Sequence, residues 1–276
     1  MSEPLHVERH GEGPPLVVLH GGGPGCSAAA DFAHVIPDLA LHRSVYAVDL
    51  DQYGQSPSVA IAGNSAEHHA GRLAATLDEL GVAGADFVCQ SLGGLVALEL
   101  AATRPDLVRR LVVTGSQPIP GDPSTCDWEL GPEMRRRVYA AGTIDEARIR
   151  SLQATSEWWD ADAIPPALTA RRLRATLLHH ERIPGADAAA RGTWKDMTDR
   201  LPAVGAPVLL LWGASDPFAR PAYALGIAAV LPDATVHVIP RSSHHVQSER
   251  PREYTRAALS FLLDTPPAPD QKPVPA

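Results

Sequence analysis

DFVCQSLGGLVA, residues 86–97, carries the decisive pattern of this chain. Asp86–Gln90 has the composition of a buried strand, and Gly93–Thr103 reads as a helix that ends before Pro105. Ser91 lies at the turn between them. A serine there projects its hydroxyl from the carboxyl edge of a sheet. It also sits at a helix N-terminus, where free N–H groups and the dipole favour developing negative charge. Gly93 and Gly94 are the small residues that close packing at such a turn needs. The pattern is G-x-S-x-G with Cys89 in the first glycine position, and cysteine is small enough to keep the turn feasible. Ser91 is the candidate nucleophile; an ordinary N-cap serine is the bland alternative.

Outward from this turn, strand and helix signals alternate. Leu16–Leu19, Ser44–Leu50, Leu111–Thr114, Pro207–Trp212 and Thr235–Ile239 read as further strands. Asp31–Leu41, Ser65–Leu80 and residues 219–231 and 251–263 read as helices. That alternation implies parallel βαβ units. The pattern breaks at PIPGDPSTCDWELGP, residues 118–132, which is dense in turn formers. From Glu133 to about Thr193 the chain reads as helices only, interrupted by Pro165–Pro166 and Pro184–Gly185. The expectation is a core of residues 1–118 and 195–264, a helical cap at 119–194 acting as a lid, and a Pro-rich disordered tail at 265–276. Trp128, Trp158, Trp159 and Trp194 lie in or beside the cap; core packing or pocket lining would suit each.

HGGGPG, residues 20–25, follows the strand at 16–19. A glycine run lets backbone N–H groups approach a ligand without Cβ obstruction. The Gly22 and Leu92 amides are therefore the candidate oxyanion donors, and losing one such donor costs on the order of 3 kcal/mol of barrier. His20 reads as a residue that tethers this loop. No G-x-x-x-x-G-K-[ST] pattern supports a phosphate loop. In VLLLWGASDPF, Asp216 sits just past the carboxyl end of a buried strand, where the ligands of open α/β sheets collect. In TVHVIPRSSHHVQSERP, His244 and His245 occupy the loop after the next strand. His244 would take the Ser91 proton and Asp216 would hold its tautomer.

The 276 residues carry a formal net charge of −8, with 45% hydrophobic and 20% charged residues and a mean hydropathy of −0.09. These values describe an ordinary globular chain with no electrostatic footprint for nucleic acid or an anionic membrane. No basic segment followed by an apolar stretch suggests a signal peptide, and no run is long enough to span a bilayer. Cys26, Cys89 and Cys126 are odd in number and far apart, which argues against a disulfide framework and fits a reducing cytoplasm. No ligand spacing points to a metal, and no organic cofactor is expected.

The residues quoted resemble the α/β-hydrolase superfamily over nearly the whole chain, to about residue 264. This resemblance implies a mostly parallel sheet with a helical cap inserted after the sixth strand. HGGGPG, the cap and SHHVQSERP resemble the meta-cleavage-product hydrolases, which cut C–C bonds in vinylogous diketo acids. Gln247, Glu249 and Pro251 match their G-H-W-x-Q-x-E-x-P motif and set His244 as the catalytic histidine. DLDQYGQS, residues 49–56, stands where members carry D-x-x-G-x-G-x-S. ALTARRLRA, residues 167–175, resembles the segment whose arginine binds a substrate carboxylate, which makes Arg172 that candidate; a solvated helix face is the alternative. Gln90 and His245 replace the family's Asn and Trp and complete the substrate-binding set that the resemblance implies. The stretch CSAAADFAHV also departs from the family, as do Asp51 and Gln52.

The expected activity is that of a serine hydrolase, using Ser91, His244 and Asp216. Its substrate would be a small apolar carbonyl compound, cleaved at an ester, lactone, thioester or C–C bond. A proline-iminopeptidase-like aminopeptidase would need acidic groups such as Glu129, Glu133, Glu157 or Asp160 to hold an amine. A non-catalytic ligand-binding protein is the alternative from another class. The family resemblance implies a homodimer.

Overall fold

The computed structural model describes residues 3–140, 142–182 and 191–264. The expected tail at 265–276 and the Pro184–Gly185 break lie outside the described residues. The strands are β1 (Val7–His10), β2 (Pro15–Leu19), β3 (Ser44–Val48), β4 (Ile61–Asn64), β5 (Ala85–Gln90), β6 (Val108–Thr114), β7 (Arg191–Thr193), β8 (Val208–Gly213) and β9 (Ala234–Ile239). The main sheet runs β1-β3-β2-β5-β6-β8-β9. β1 is antiparallel to β3, and every other pair in this sheet is parallel. Central strands such as PLVVL and VLLLWG are apolar along their whole length because helices cover both faces.

The helices are α1 (Ala28–Asp31), α2 (Ile36–Leu39), α3 (Ser65–Glu79), α4 (Leu92–Thr103), α5 (Leu130–Val138), α6 (Glu146–Leu152), α7 (Pro166–Arg182), α8 (Pro221–Ala228), α9 (Val246–Glu249) and α10 (Pro251–Leu263). Strand alternation divides the core between the two faces. Val17, Leu19, Phe87, Cys89, Leu111, Val113, Leu210 and Trp212 pack on one side with α3, α4 and α8. Leu16, Val18, Val88, Val112, Leu209 and Leu211 pack on the other with Phe32, Leu39 and Tyr254. Each fully buried Leu or Val of this kind contributes roughly 1.5–3 kcal/mol. Between β6 and β8 the chain leaves the sheet to form α5, α6, a π-helical turn at Gln153–Glu157, α7 and β7.

Several local expectations need correction. Residues 31–41 are not one helix: α1 ends at Asp31, and α2 starts anew with Pro37 in its first turn. Ser27 caps α1 by accepting from the Ala30 N–H at 3.1 Å. The helix expected from Ser65 does begin there, capped by Asn64, which accepts from the Glu67 N–H at 2.8 Å. The helix at 219–231 spans only Pro221–Ala228. The excursion is not wholly helical either: β7 pairs in parallel with β4, joining its end to the core. β1, β4 and β7 are four residues or fewer, too short to show a period.

Candidate active site

Ser91 adopts φ 50° and ψ −113°, a region that residues with a Cβ rarely enter. Its N–H donates to the Thr114 carbonyl at 2.7 Å, and its own carbonyl accepts from the Ser116 hydroxyl at 2.7 Å. A Cβ on Gly93 would lie 2.6 Å from the Leu19 carbonyl oxygen, and one on Gly94 would lie 2.8 Å from Val113 Cγ1. Glycine at both positions lets α4 begin flush against β2 and β6, which holds the chain in the strained turn. Cys89 does not disturb it: the side chain is buried in the core, and burial pushes its thiol well up, away from reactivity.

The glycine loop meets this turn. A Cβ on Gly22 would lie 3.2 Å from Leu92 Cβ, and one on Gly21 would lie 3.5 Å from Ser91 Cβ. The Gly22 and Leu92 amides have no acceptor among the described residues. Leu50 N–H donates to His20 Nε2 at 3.0 Å, so the neutral ring carries its proton on Nδ1, which donates to the Gly21 carbonyl at 2.7 Å. In a trans peptide the N–H points opposite the C=O, so fixing Gly21 O aims the Gly22 N–H. Tyr53 Oη and an Arg135 guanidinium nitrogen donate to the Gly22 carbonyl at 2.9 and 2.7 Å, fixing the next peptide as well. Neither Tyr53 nor Arg135 was distinguishable in the sequence.

Asp216 and His244 come from the loops after β8 and β9. His244 Nδ1 donates to Asp216 Oδ2 at 2.9 Å, and both residues are buried. Asp216 Oδ1 accepts from the Phe218 N–H at 2.9 Å. The Phe218 ring stands 4.3 Å from the imidazole, centroid to centroid. Burial disfavours the imidazolium, but the Asp216 carboxylate beside it, helped by the charges of Glu157 and Asp31, outweighs that and holds His244 above its ordinary pKa. Gly115 has φ 62°, and a Cβ there would lie 2.7 Å from His244 Cε1. Gln90, next to Ser91, donates to the His244 carbonyl at 3.4 Å. Ser91, Asp216 and His244 thus gather at the carboxyl edge of β5, β8 and β9. Ser91 is half-buried, and its hydroxyl has no hydrogen-bond partner among the described residues; such contacts often close only around substrate.

The residues implied for substrate binding are placed differently. Arg172 is not on a solvated face: it is 0% exposed, and it pairs with Glu157 through both terminal nitrogens at 2.9 and 2.8 Å. The buried residues of α7, Thr169, Arg172, Thr176 and His179, are all polar and recur at helical spacing. Its polar stripe therefore faces inward, against the usual pattern. His245 is buried and donates its N–H to the Glu157 carbonyl at 3.0 Å. Glu129 and Asp160 are exposed, and Glu133 is engaged by Arg137. Both carboxylate oxygens of Glu157 are taken by Arg172. Trp128 and Trp194 pack on each other at 4.8 Å, whereas Trp158 is buried and Trp159 exposed.

Among the described residues, two groups of side chains offer metal-ligand atoms within 4.8 Å of one another: Cys26, Asp31 and His245, and Asp51, His68 and His69. A fixed cation already faces each carboxylate. The Arg172 guanidinium lies 3.9 Å from Asp31, and Arg72 lies 2.9 Å from Asp51. Neither set fits a resident metal ion.

Comparison with known proteins agrees with this fold. The model of the alpha/beta hydrolase fold family matches residues 14–251. A 2-hydroxy-6-oxononadienedioate/2-hydroxy-6-oxononatrienedioate hydrolase of Paraburkholderia xenovorans is 30% identical over 269 residues, covering 94% of this chain and 90% of its own. The protein of the same description from Burkholderia vietnamiensis is 29% identical over 257 residues, covering 90% and 86%. A meta-cleavage product hydrolase from Pseudomonas fluorescens superposes with a TM-score of 0.80 at 21% identity over 94% of both chains, a likeness that shows the fold. The chain belongs to the alpha/beta hydrolase fold family and is a hydrolase.

Proposed function

We propose that Ser91, His244 and Asp216 form a catalytic triad that hydrolyses an ester or lactone of a small apolar acid through an acyl-enzyme. The observation that carries this reading is the His244–Asp216 pair at 2.9 Å, built beside the strained Ser91 turn. With Nδ1–H donated to Asp216, His244 Nε2 is the free base. It takes the Ser91 proton as Oγ attacks the carbonyl carbon. The oxyanion formed accepts from the Gly22 and Leu92 N–H groups, and the leaving group departs with the proton from His244. Water activated by His244 then cleaves the acyl-enzyme.

Residues 119–194 act as a cap over this site. Three free thiols support a cytoplasmic setting, and a homodimer is the assembly that the resemblance implies. A second reading, C–C hydrolysis of a dienoate, is supported by the names of the two relatives. A short-chain nitrophenyl ester and a 2-hydroxy-6-oxo-dienoate, each followed by absorbance, separate the two readings. Ester cleavage that vanishes in Ser91→Ala, with a flat dienoate trace, is the expected result. Rapid Ser91-dependent loss of the dienoate with no ester cleavage would establish the second reading. No turnover of either would overturn both.

A further inference from the structure

Directly behind the glycine loop lies a buried charge cluster that the triad does not use. Arg172 donates from Nε to the Pro24 carbonyl at 2.9 Å and from its two terminal nitrogens to Glu157 Oε2 and Oε1 at 2.9 and 2.8 Å. Asp31 Oδ1 lies 3.9 Å from the same guanidinium and has no hydrogen-bond partner among the described residues. Two carboxylates thus face one guanidinium, leaving an excess of negative charge. A Cβ on Gly23 would lie 2.9 Å from Arg172 Nη2 and 3.1 Å from Glu157 Oε1, so the pair abuts the residue after the Gly22 donor. The Glu157 main-chain carbonyl accepts from the His245 main-chain N–H at 3.0 Å, and His245 Nε2 lies 3.7 Å from Glu157 Oε1, one residue from His244. The π-helical turn at Gln153–Glu157 adds a residue to the helical register and ends on this inward carboxylate.

We propose that Glu157 sets the substrate class by occupying Arg172 as an internal carboxylate, so that the site accepts uncharged acyl groups and refuses acyl groups ending in a carboxylate. This rests on the reading of the chain as a Ser91 hydrolase of small carbonyl compounds. An incoming carboxylate finds no free two-donor face on Arg172: Glu157 fills the fork between the terminal nitrogens, and the Pro24 carbonyl takes the Nε–H. To reach the guanidinium it must displace Glu157, which strands a buried anion, or lie unpaired beside two buried carboxylates. An uncharged acyl chain meets neither penalty. By their names, the two relatives above act on dioates, and the proposal sets this chain apart from them in substrate charge.

The test compares two para-nitrophenyl esters: the mono-ester of glutaric acid, and its uncharged isostere with an isopropyl group in place of the carboxylate. In the wild-type enzyme kcat/KM for the uncharged ester exceeds that for the anionic one by about tenfold or more. Glu157→Gln raises the anionic-to-uncharged ratio by about tenfold, because a freed guanidinium can pair with the substrate carboxylate. Glu157→Gln/Arg172→Gln shows no such rise. A ratio that packing changes alone would leave still is the deciding readout. Equal wild-type cleavage of both esters overturns the proposal, and so does an unchanged ratio in a Glu157→Gln protein that melts cooperatively. If that variant does not fold, the wild-type ratio decides. If neither ester is cleaved, the ester reading fails and thermal melting decides instead: glutarate at about 10 mM raises the Tm of Glu157→Gln and not that of the wild type. A glutarate shift in the wild type, or in neither protein, overturns the proposal.

Discussion

His244 stands between opposed influences: burial works against its protonated form, and the Asp216 carboxylate 2.9 Å away works for it. The second prevails, so the folded imidazole stays protonated to a higher pH than a free one. Catalysis needs the neutral ring, so kcat/KM should rise with pH and reach half its plateau above pH 6.5, the ordinary histidine value. A pH–rate profile with its acid limb centred below that value would contradict the pairing. The same interaction adds stability that is complete below the unfolded imidazole's pKa and is lost as pH rises through the folded one. Asp216→Asn keeps the shape but removes the charge and presents the wrong hydrogen-bonding partner. It should lower kcat by about 10⁴-fold and move the acid limb to lower pH; steady-state kinetics across pH checks both. The proposed triad is legible in the sequence because Ser91, Asp216 and His244 each follow a segment that reads as a strand. Glu157 as the partner of Arg172 was not, because the pairing depends on how a π-helical turn meets α7 in space.

At the scale of elements, α7 and the glycine loop are in direct contact. Gly25 has φ 72°, and a Cβ there would collide with the Arg172 carbonyl and stand 2.6 Å from Thr176 Oγ1. Gly25→Ala should therefore displace the loop from α7 and disturb the Gly22 donor. Given the value of one oxyanion donor, kcat should fall about 10²–10³-fold, and circular dichroism should show the secondary structure retained. Unchanged kcat would mean that α7 does not brace the loop. α7 also shows why amphipathic pattern misled: its buried stripe is Thr169, Arg172, Thr176 and His179. Thr169, Arg172 and His179 find partners in Gln153, Glu157, Gly54 and Ser58, partners that no local sequence signal announces, and Thr176 donates back to the Arg172 carbonyl. The sheet strands were readable for the opposite reason: residues covered on both faces must be apolar along their length. The two-residue pairing of β4 with β7 offers no such run.

Across the whole molecule, Glu249 ties the excursion after β6 to the histidine loop by holding one amide from each. Its Oε1 accepts from Ser243 N–H at 2.6 Å and its Oε2 from Trp159 N–H at 2.7 Å. Burial pushes its pKa up to about 6 despite those donors. Glu249→Ala leaves both amides without their acceptor and should lower unfolding stability by about 1–3 kcal/mol, measured by urea denaturation. Its kcat should fall with it, since Ser243 precedes His244. A stability change within error would show that the two amides find other partners. The core answers to packing alone. Leu210→Ala, in the fully buried β8, should cost about 2–5 kcal/mol and leave KM close to wild type.

Covalent labelling shows whether Ser91 is the nucleophile. Purified protein is treated with a serine-directed fluorophosphonate, its intact mass is recorded, and the modified peptide is sequenced by tandem mass spectrometry. A single adduct on Ser91, none on Ser91→Ala, and slow labelling of His244→Ala are the expected results. Rapid single-site labelling of another serine, or no labelling of a folded wild-type protein, would contradict this role for Ser91.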